Sequence, residues 1–466
     1  MTNFSPTTIL IAIGVLALLA IGLTWLAYRR PYAILVTLLF GLLLQEQMIR
    51  YLRFALEAPG YLIQGASLWK ELLLVALILA LALRWLRGAD LAIRFQWFDL
   101  LVLALLLLAM AHSIFSIDPL AGVAAIRNLF EPLLVFYLVR VINPSPRALR
   151  NTLWALLVVG VLISALGIWQ ALAWESSTFE RWGYLHPERW IPTVAVDGGF
   201  RFRPSSTVAG PNILGSFNAL FAALALGLAL TTTGRKRWAA AAAVPLFLLG
   251  LVYTYSRSGM LTLGVSGVVF LLVTLWQPDL RSRARAFFAR RWVLPVTLLL
   301  ITGFAAALAI SGMGARLTGS LTTLTSQFHM QDKVEALSFV LQHPAGIGMG
   351  QAGPRDGLFF PEVAGYDVES SLFQIALDMG IWGLALWLAL IGWLWSAFWK
   401  TWQGSTSSEV RLVAALATCL WPGYLLAFLF LPLMQSMVLM SWLWFLSGAG
   451  VRFENQLTAG QPSAYR

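Results

Sequence analysis

Long apolar stretches alternate with short polar ones along almost the whole chain. The apolar runs are about 17 to 25 residues long, the length an α-helix needs to cross roughly 30 Å of hydrocarbon. None shows the every-other-residue alternation, or the shorter length of about 9 to 11 residues, of a barrel strand. Spans are predicted over residues 8–28, 32–45, 69–86, 98–113, 121–141, 151–174, 207–231, 238–255, 258–276, 292–311, 371–398, 410–431 and 433–450. The expected fold class is therefore all-α, a polytopic membrane helix bundle of about 12 to 13 transmembrane helices with a large external loop carrying short helices. The first run, "TTILIAIGVLALLAIGLTWLAYRR", has no basic segment ahead of it and is followed by Arg29 and Arg30, so it reads as a retained span and not as a signal peptide.

Composition agrees: of 466 residues, 59 % are hydrophobic and 11 % charged, where a soluble chain carries about 25 % charged residues. The net charge of +11 is an orientation signal. Arg29, Arg30, Arg84, Arg87, Arg94, Arg140, Arg147, Arg150, Arg235, Lys236, Arg237, the arginines of "RSRARAFFARR", Lys400, Arg411, Arg452 and Arg466 all fall in alternate loops, against only Asp90, Asp99, Asp279, Glu409 and Glu454. The positive-inside rule places those loops in the cytoplasm. Membrane lipids are the partners this charge implies, and nucleic acid is not. The single cysteine, Cys419, excludes a disulfide within the chain.

This topology divides the chain into N-terminal helices with an external loop at 175–206 (1–206), central helices (207–311), a large external loop (312–370), C-terminal helices (371–450) and a cytoplasmic tail (451–466). Within the large loop, "KVEALSFVLQHP" predicts an amphipathic helix with Val334, Leu337, Val340 and Leu341 on one face, ended by Pro344 and suited to lying on a membrane surface. In the fifth span, Arg127 and Glu131 are spaced to pair along one helix face.

The candidate chemistry gathers on the outer side. Arg257 stands in "YTYSRSGML", at a turn between two spans. One reading is an arginine that snorkels to headgroups. The other is a planar, permanently charged fork held near the bilayer for phosphate oxygens, with Ser258 beside it. In "GGFRFRPSSTVAGPN", Arg201 and Arg203 approach the same face, either as solvated loop charges or as part of the same anion site. Pro211 and Asn212 read as helix-start chemistry. In "YDVESSLFQIALDMGIWGL", Asp367, Glu369 and Ser370 precede a span. They form either a helix-capping cluster or, for Glu369, a carboxylate able to act as general base on a sugar hydroxyl. Asp378 is an acid inside a span and a functional candidate on that ground. "GIGMG" lacks the strand–helix unit of a dinucleotide site. His112, His186, His329 and His343 have no metal-ligand spacing, so neither a metal nor a cofactor is expected.

These segments, taken in order, resemble the O-antigen ligase and polymerase superfamily over roughly residues 100 to 450. "RPSSTVAGPN" is similar to the family's arginine set ahead of a Pro-Asn pair, "YTYSRSGML" to its Ser-Arg-Ser-Gly turn, "LQHPAGIGMGQ" to its His-Pro and Gly-x-Gly segment, and "ESSLFQIALDMGIWGL" to the segment that enters the next span. The resemblance implies a bacterial inner-membrane enzyme that moves glycans off an undecaprenyl-diphosphate-linked donor onto an acceptor glycan lipid at the outer face. A chain-length regulator is a candidate partner. It further implies Arg203 and Arg257, assisted by Arg201, as diphosphate-binding groups and Glu369 as the catalytic base, supported by Ser258, Asn212 and Ser370. Ligases of the family typically carry a histidine where this chain has Glu369, so the resemblance leans to the polymerase or exopolysaccharide branch. A ligase, a protein O-oligosaccharyltransferase and, in another class, a multispan transporter or flippase are the alternatives. No internal repeat between the halves supports the last.

Overall fold

The protein is described by a computed structural model over residues 6–89, 91, 95–184, 193–196, 199–276, 281–282, 285–286, 289, 293–312, 324–353, 368–405 and 408–458. Its helices are α1 (Pro6–Arg29), α2 (Pro31–Arg50), α3 (Gly60–Ser67), α4 (Trp69–Leu86), α5 (Trp97–Ile114), α6 (Pro119–Ile142), α7 (Pro146–Ala173), α8 (Ser176–Arg181), α9 (Pro211–Thr231), α10 (Gly234–Tyr253), α11 (Arg257–Trp276), α12 (Val293–Ile310), α13 (Leu324–Gln342), α14 (Ser371–Gly404), α15 (Ser408–Phe430) and α16 (Met437–Thr458). Among the described residues one hairpin, β1 (Thr193–Val196) and β2 (Gly199–Phe202), pairs antiparallel with Val194 opposite Arg201. Every predicted span falls largely on a helix; the last begins at Met437 and not at 433, where Leu433–Gln435 forms a 3-10 turn. Among the described residues, 10 helical segments are long and apolar enough to cross a membrane, and the apolar stretches Leu18–Arg29 and Met437–Val451 are shorter.

Local chemistry explains where the helices begin. Prolines at the first turn, Pro31, Pro119, Pro146 and Pro211, have no N–H to leave unpaired there. Asp118 caps α6 by accepting from the Leu120 and Ala121 amides, and Ser145 caps α7 through Ala148. Gln96 and Asp99 form a reciprocal capping box on α5.

The helices pack around α9, the most enclosed of those 10 segments, which touches α7, α10, α11 and α15. A second group joins α14 to α5, α15 and α16, and α16 to α6. Trp387, Trp402, Trp421, Trp442 and Trp444 are fully buried there. Trp444 meets Trp387 edge-to-face at 6.0 Å and 87°, and Trp421 donates through Nε1 to Ser447 Oγ at 2.9 Å. Between α4 and α6, buried charges are paired. Lys70 Nζ lies 2.7 Å from Glu131 Oε1 and 2.9 Å from Glu71 Oε1, and Arg127 pairs with Glu71 and, at 3.2 Å, with Glu131. The expected Arg127–Glu131 pair thus belongs to a larger cluster between α4 and α6.

Three other expectations change. The seventh span starts at Pro211 and not at 207, because Ser205–Val208 forms a turn with Ser206 at φ 50°. The second span runs past 45 to Arg50 and into a π-helical turn, Tyr51–Ala55. The amphipathic helix is the longer α13, and its predicted face splits. Ala336 and Val340 are buried against Val368, Ala376 and Leu377, while Val334, Leu337 and Leu341 stay exposed. A narrow, small-residue edge lets α13 approach α14, and the bulkier residues lie outside that contact. Of the large loop, 313–323 and 354–367, with Asp367, lie outside the described residues.

Candidate active site

The Ser-Arg-Ser-Gly turn is a helix start built for close approach. Ser256 Oγ accepts the Gly259 amide at 3.1 Å, capping α11, and sits 3.1 Å from Ser258 Oγ. Arg257 is the first residue of α11 and is half-buried. Gly259 lies so near α9 that a Cβ there would stand 2.8 Å from the Gly215 carbonyl carbon, and one on Gly215 would stand 2.6 Å from Ser256 Cβ. The starts of α9 and α11 therefore converge, and each presents the positive end of its peptide dipoles.

Arg203 joins them. Its Nε donates to Thr254 O at 2.9 Å and one terminal nitrogen donates to Asn212 Oδ1 at 2.7 Å. This ties Arg203 to the turn that carries Arg257. Asn212, which as sequence reads as helix-start chemistry, does more: Gly210 and Pro211 begin the helix, and the Asn212 side chain orients a guanidinium. Two cations and two helix N-termini in one half-buried place suit a multiply charged anion.

The segment behind Arg203 is held by groups that sequence reasoning missed. Arg50, 4 % exposed, donates to Val208 O at 3.3 Å and Ala209 O at 3.1 Å, and its guanidinium lies 4.4 Å from the Tyr184 ring centre. Tyr184 donates to Ser206 O, and burial pushes its phenol above the usual range, so it remains a donor. Gln170 accepts the Ser206 amide at 2.8 Å and donates to Tyr184 Oη at 3.0 Å. The only signal in the sequence was an arginine at the end of "QEQMIR", where the polar run reads as a loop.

The "HPAGIGMGQ" segment is a structural device. Gly346, Gly348, Gly350 and Gly353 all have positive φ. A Cβ on Gly346 would stand 2.5 Å from Gly380 N, and Gly380 itself has φ 72° and ψ −176°, interrupting α14. The loop repairs that break: Ile347 N donates to Leu377 O at 2.7 Å and Ile381 N to Pro344 O at 3.0 Å. Asp378 is buried and accepts the amides of Gly350, Gln351 and Ala352, the last at 3.0 Å. Asp378 thus anchors the glycine loop. His112 Nε2 lies 2.9 Å from Ala345 O, and Ser116 Oγ donates to Met349 O, fixing the loop to the end of α5.

Glu369 is exposed and stands directly before α14, whose cap is Ser370: Ser370 Oγ accepts from Phe373 N at 3.3 Å and donates to Phe428 O at 3.1 Å. The capping role falls to Ser370. Arg201, on β2, is exposed. Among the described residues, no group of three or more His, Cys, Asp and Glu is placed to hold a metal ion.

Residues 241–388 match the family model for O-antigen ligase. The O-antigen ligase match takes in Arg257, the glycine loop, Glu369, Ser370 and Gly380, so the likeness to the ligase and polymerase superfamily holds over this stretch and supports a membrane glycan-processing enzyme. Arg203 and Asn212 precede the matched residues, yet their hydrogen bonds attach them to its Ser-Arg-Ser-Gly turn. No curated protein matches the chain.

Proposed function

We propose that the protein is a membrane glycosyltransferase of the bacterial inner membrane that moves glycan repeat units from an undecaprenyl-diphosphate donor at the periplasmic face, and that it polymerises them. The observation that carries this is the attachment of Arg203 to the turn bearing Arg257, through Thr254 O and Asn212 Oδ1. Both guanidiniums hold the donor diphosphate, with Arg201 assisting from β2. Charge neutralisation there makes the lipid diphosphate a leaving group, and preorganised cations in a partly dry site contribute several kcal/mol to such a transition state. The acceptor hydroxyl attacks the anomeric carbon, the bond from that carbon to the phosphate oxygen breaks, and Glu369 takes the hydroxyl proton. Ser370 holds Glu369 at the start of α14, and Ser258 and Asn212 keep the arginines in place. A chain-length regulator fits as partner.

The family match, described as O-antigen ligase, favours a second reading: transfer of the finished chain to lipid A core. One experiment separates the two. A strain lacking the gene is complemented with the wild type or with Arg257→Ala, and its glycans are analysed. Single repeat units in the deletion and Arg257→Ala strains support the polymerase. Long chains left on the lipid diphosphate, and missing from the surface, support the ligase. Unchanged glycans in both strains refute either.

A further inference from the structure

Beside the segment that carries Arg203 lies a group of aromatic rings that the proposed chemistry does not use. Trp174, at the end of α7, is its centre. Its ring stacks on Trp182 at 6.3 Å and 25°, and meets Trp169, Phe179 and Tyr184 edge-on at 5.7, 5.2 and 5.6 Å between centroids. The group has a packed floor and an open top: Phe179 is 2 % exposed, Trp169 58 % and Trp182 46 %. Its centre is also polar in an unsatisfied way, because Trp174 Nε1 is buried with no acceptor.

The rim is hydrophilic. Glu175, Ser176, Ser177, Glu180 and Arg181 are all exposed between the rings. Flat apolar faces and a border of carboxylates, hydroxyls and a guanidinium match a sugar, which has a C–H face and a hydroxyl edge. Tryptophans that only mark a membrane–water boundary have no need of that border or of a fixed link to the site. Here the link is tight. Tyr184 packs on Trp174 and donates to Ser206 O, Gln170 bonds both Tyr184 and Ser206, and Arg50 lies over the Tyr184 ring while holding Val208 O. Ser206 lies in the segment that begins at Arg203, so the rings are joined to that segment by hydrogen bonds.

We infer that Trp169, Trp174 and Trp182 form a saccharide-binding shelf that seats a sugar ring of the glycan whose diphosphate the arginines hold. The identity of that glycan rests on the proposed function. The shelf supplies binding and orientation, with no bond made or broken on it.

The test uses the full chain in lipid nanodiscs and calorimetric titration with two probes. One is the repeat-unit oligosaccharide released by mild acid from the host strain's own lipid-linked pool, and the other is inorganic pyrophosphate. Trp182→Ala and Trp169→Ala are each expected to weaken oligosaccharide binding about tenfold, and Trp182→Phe to keep it within about threefold, as loss or retention of one stacked ring requires. Pyrophosphate affinity should stay within about twofold in these variants and fall in Arg203→Ala. Unchanged oligosaccharide affinity in the alanine variants overturns the shelf and leaves the rings as a membrane belt. A joint fall for both probes also overturns it, since the rings would then only brace the arginine segment. A wild type that binds oligosaccharide but not pyrophosphate refutes the diphosphate reading while the shelf stands. One that binds no oligosaccharide refutes the shelf alone.

Discussion

Asn212→Ala isolates the orientation of Arg203 from its presence. The side chain removed accepts one charged hydrogen bond, from the guanidinium to Oδ1 at 2.7 Å. The other attachment, Nε to Thr254 O at 2.9 Å, remains, so the arginine stays at the turn but loses its aim. A hydrogen bond to a charged group contributes about 1.5–3 kcal/mol, and at about 1.36 kcal/mol per factor of ten this corresponds to transfer roughly 10- to 150-fold slower. The fold should tolerate the change, because position 212 is in the first turn of α9, where alanine is a good helix former and Pro211 already fixes the start. Transfer from a lipid-diphosphate donor would be followed with purified protein in nanodiscs. The loss should appear at saturating donor, since the cations matter most where charge develops on the leaving group. Asn212→Asp keeps an acceptor but sets a negative charge against the guanidinium, and should be at least as slow. Transfer within about twofold of wild type in Asn212→Ala, with Arg203→Ala inactive, would refute this account of orientation.

At the start of α14, Glu369→Gln should lower transfer by about a hundredfold or more with pyrophosphate binding intact, whereas Ser370→Ala should lower unfolding free energy by about 1 kcal/mol through loss of the cap. Transfer assays and thermal melts on the same preparations check both. Gly380→Ala forces a side chain into a φ of 72° and to within 2.6 Å of Pro344 O, so a fall in Tm and faster proteolysis near 343–353 are expected, with destabilisation of about 1–3 kcal/mol or more. Lys70→Met takes the 2.7 Å partner from Glu131, 9 % exposed, but leaves it Arg127 at 3.2 Å, and should destabilise by about 1.5–3 kcal/mol, the worth of one charged hydrogen bond. The double change Lys70→Met with Glu131→Leu should recover most of that in a denaturation assay.

The helices were legible because length and apolarity suffice to specify a span. Their exact ends were not. Residues 46–50 read as loop because Glu46, Gln47 and Arg50 are polar, yet Gln47 donates to Trp182 O and Arg50 to Val208 O, contacts from distant segments that keep α2 helical. The arginines were legible as candidates, since permanent charges near apolar runs require a reason. Their juxtaposition was not, because it depends on Gly215 and Gly259 letting α9 and α11 touch. Gly380 shows the limit most clearly: "LDMGIWGL" reads as continuous helix, and only the docking of Pro344 and Ile347 against the backbone reveals the break.

Asp378 and the glycine loop explain each other once that break is seen. A loop that inserts beside a helix inside the bundle brings amides into a place without water, where each needs an acceptor. Left-handed glycines turn the Gly350–Ala352 amides toward one point, and a carboxylate at that point collects them. A buried acid taken alone suggests proton chemistry, but one already accepting backbone amides is bound in place. The same logic runs through the rest of the site. Asn212 and Thr254 hold Arg203, and Arg50, Gln170 and Tyr184 hold the segment behind it. The groups left half-buried or exposed, Arg203, Arg257 and Glu369, are those to which the proposed chemistry assigns substrate contact, and the deeper polar residues fix where they point.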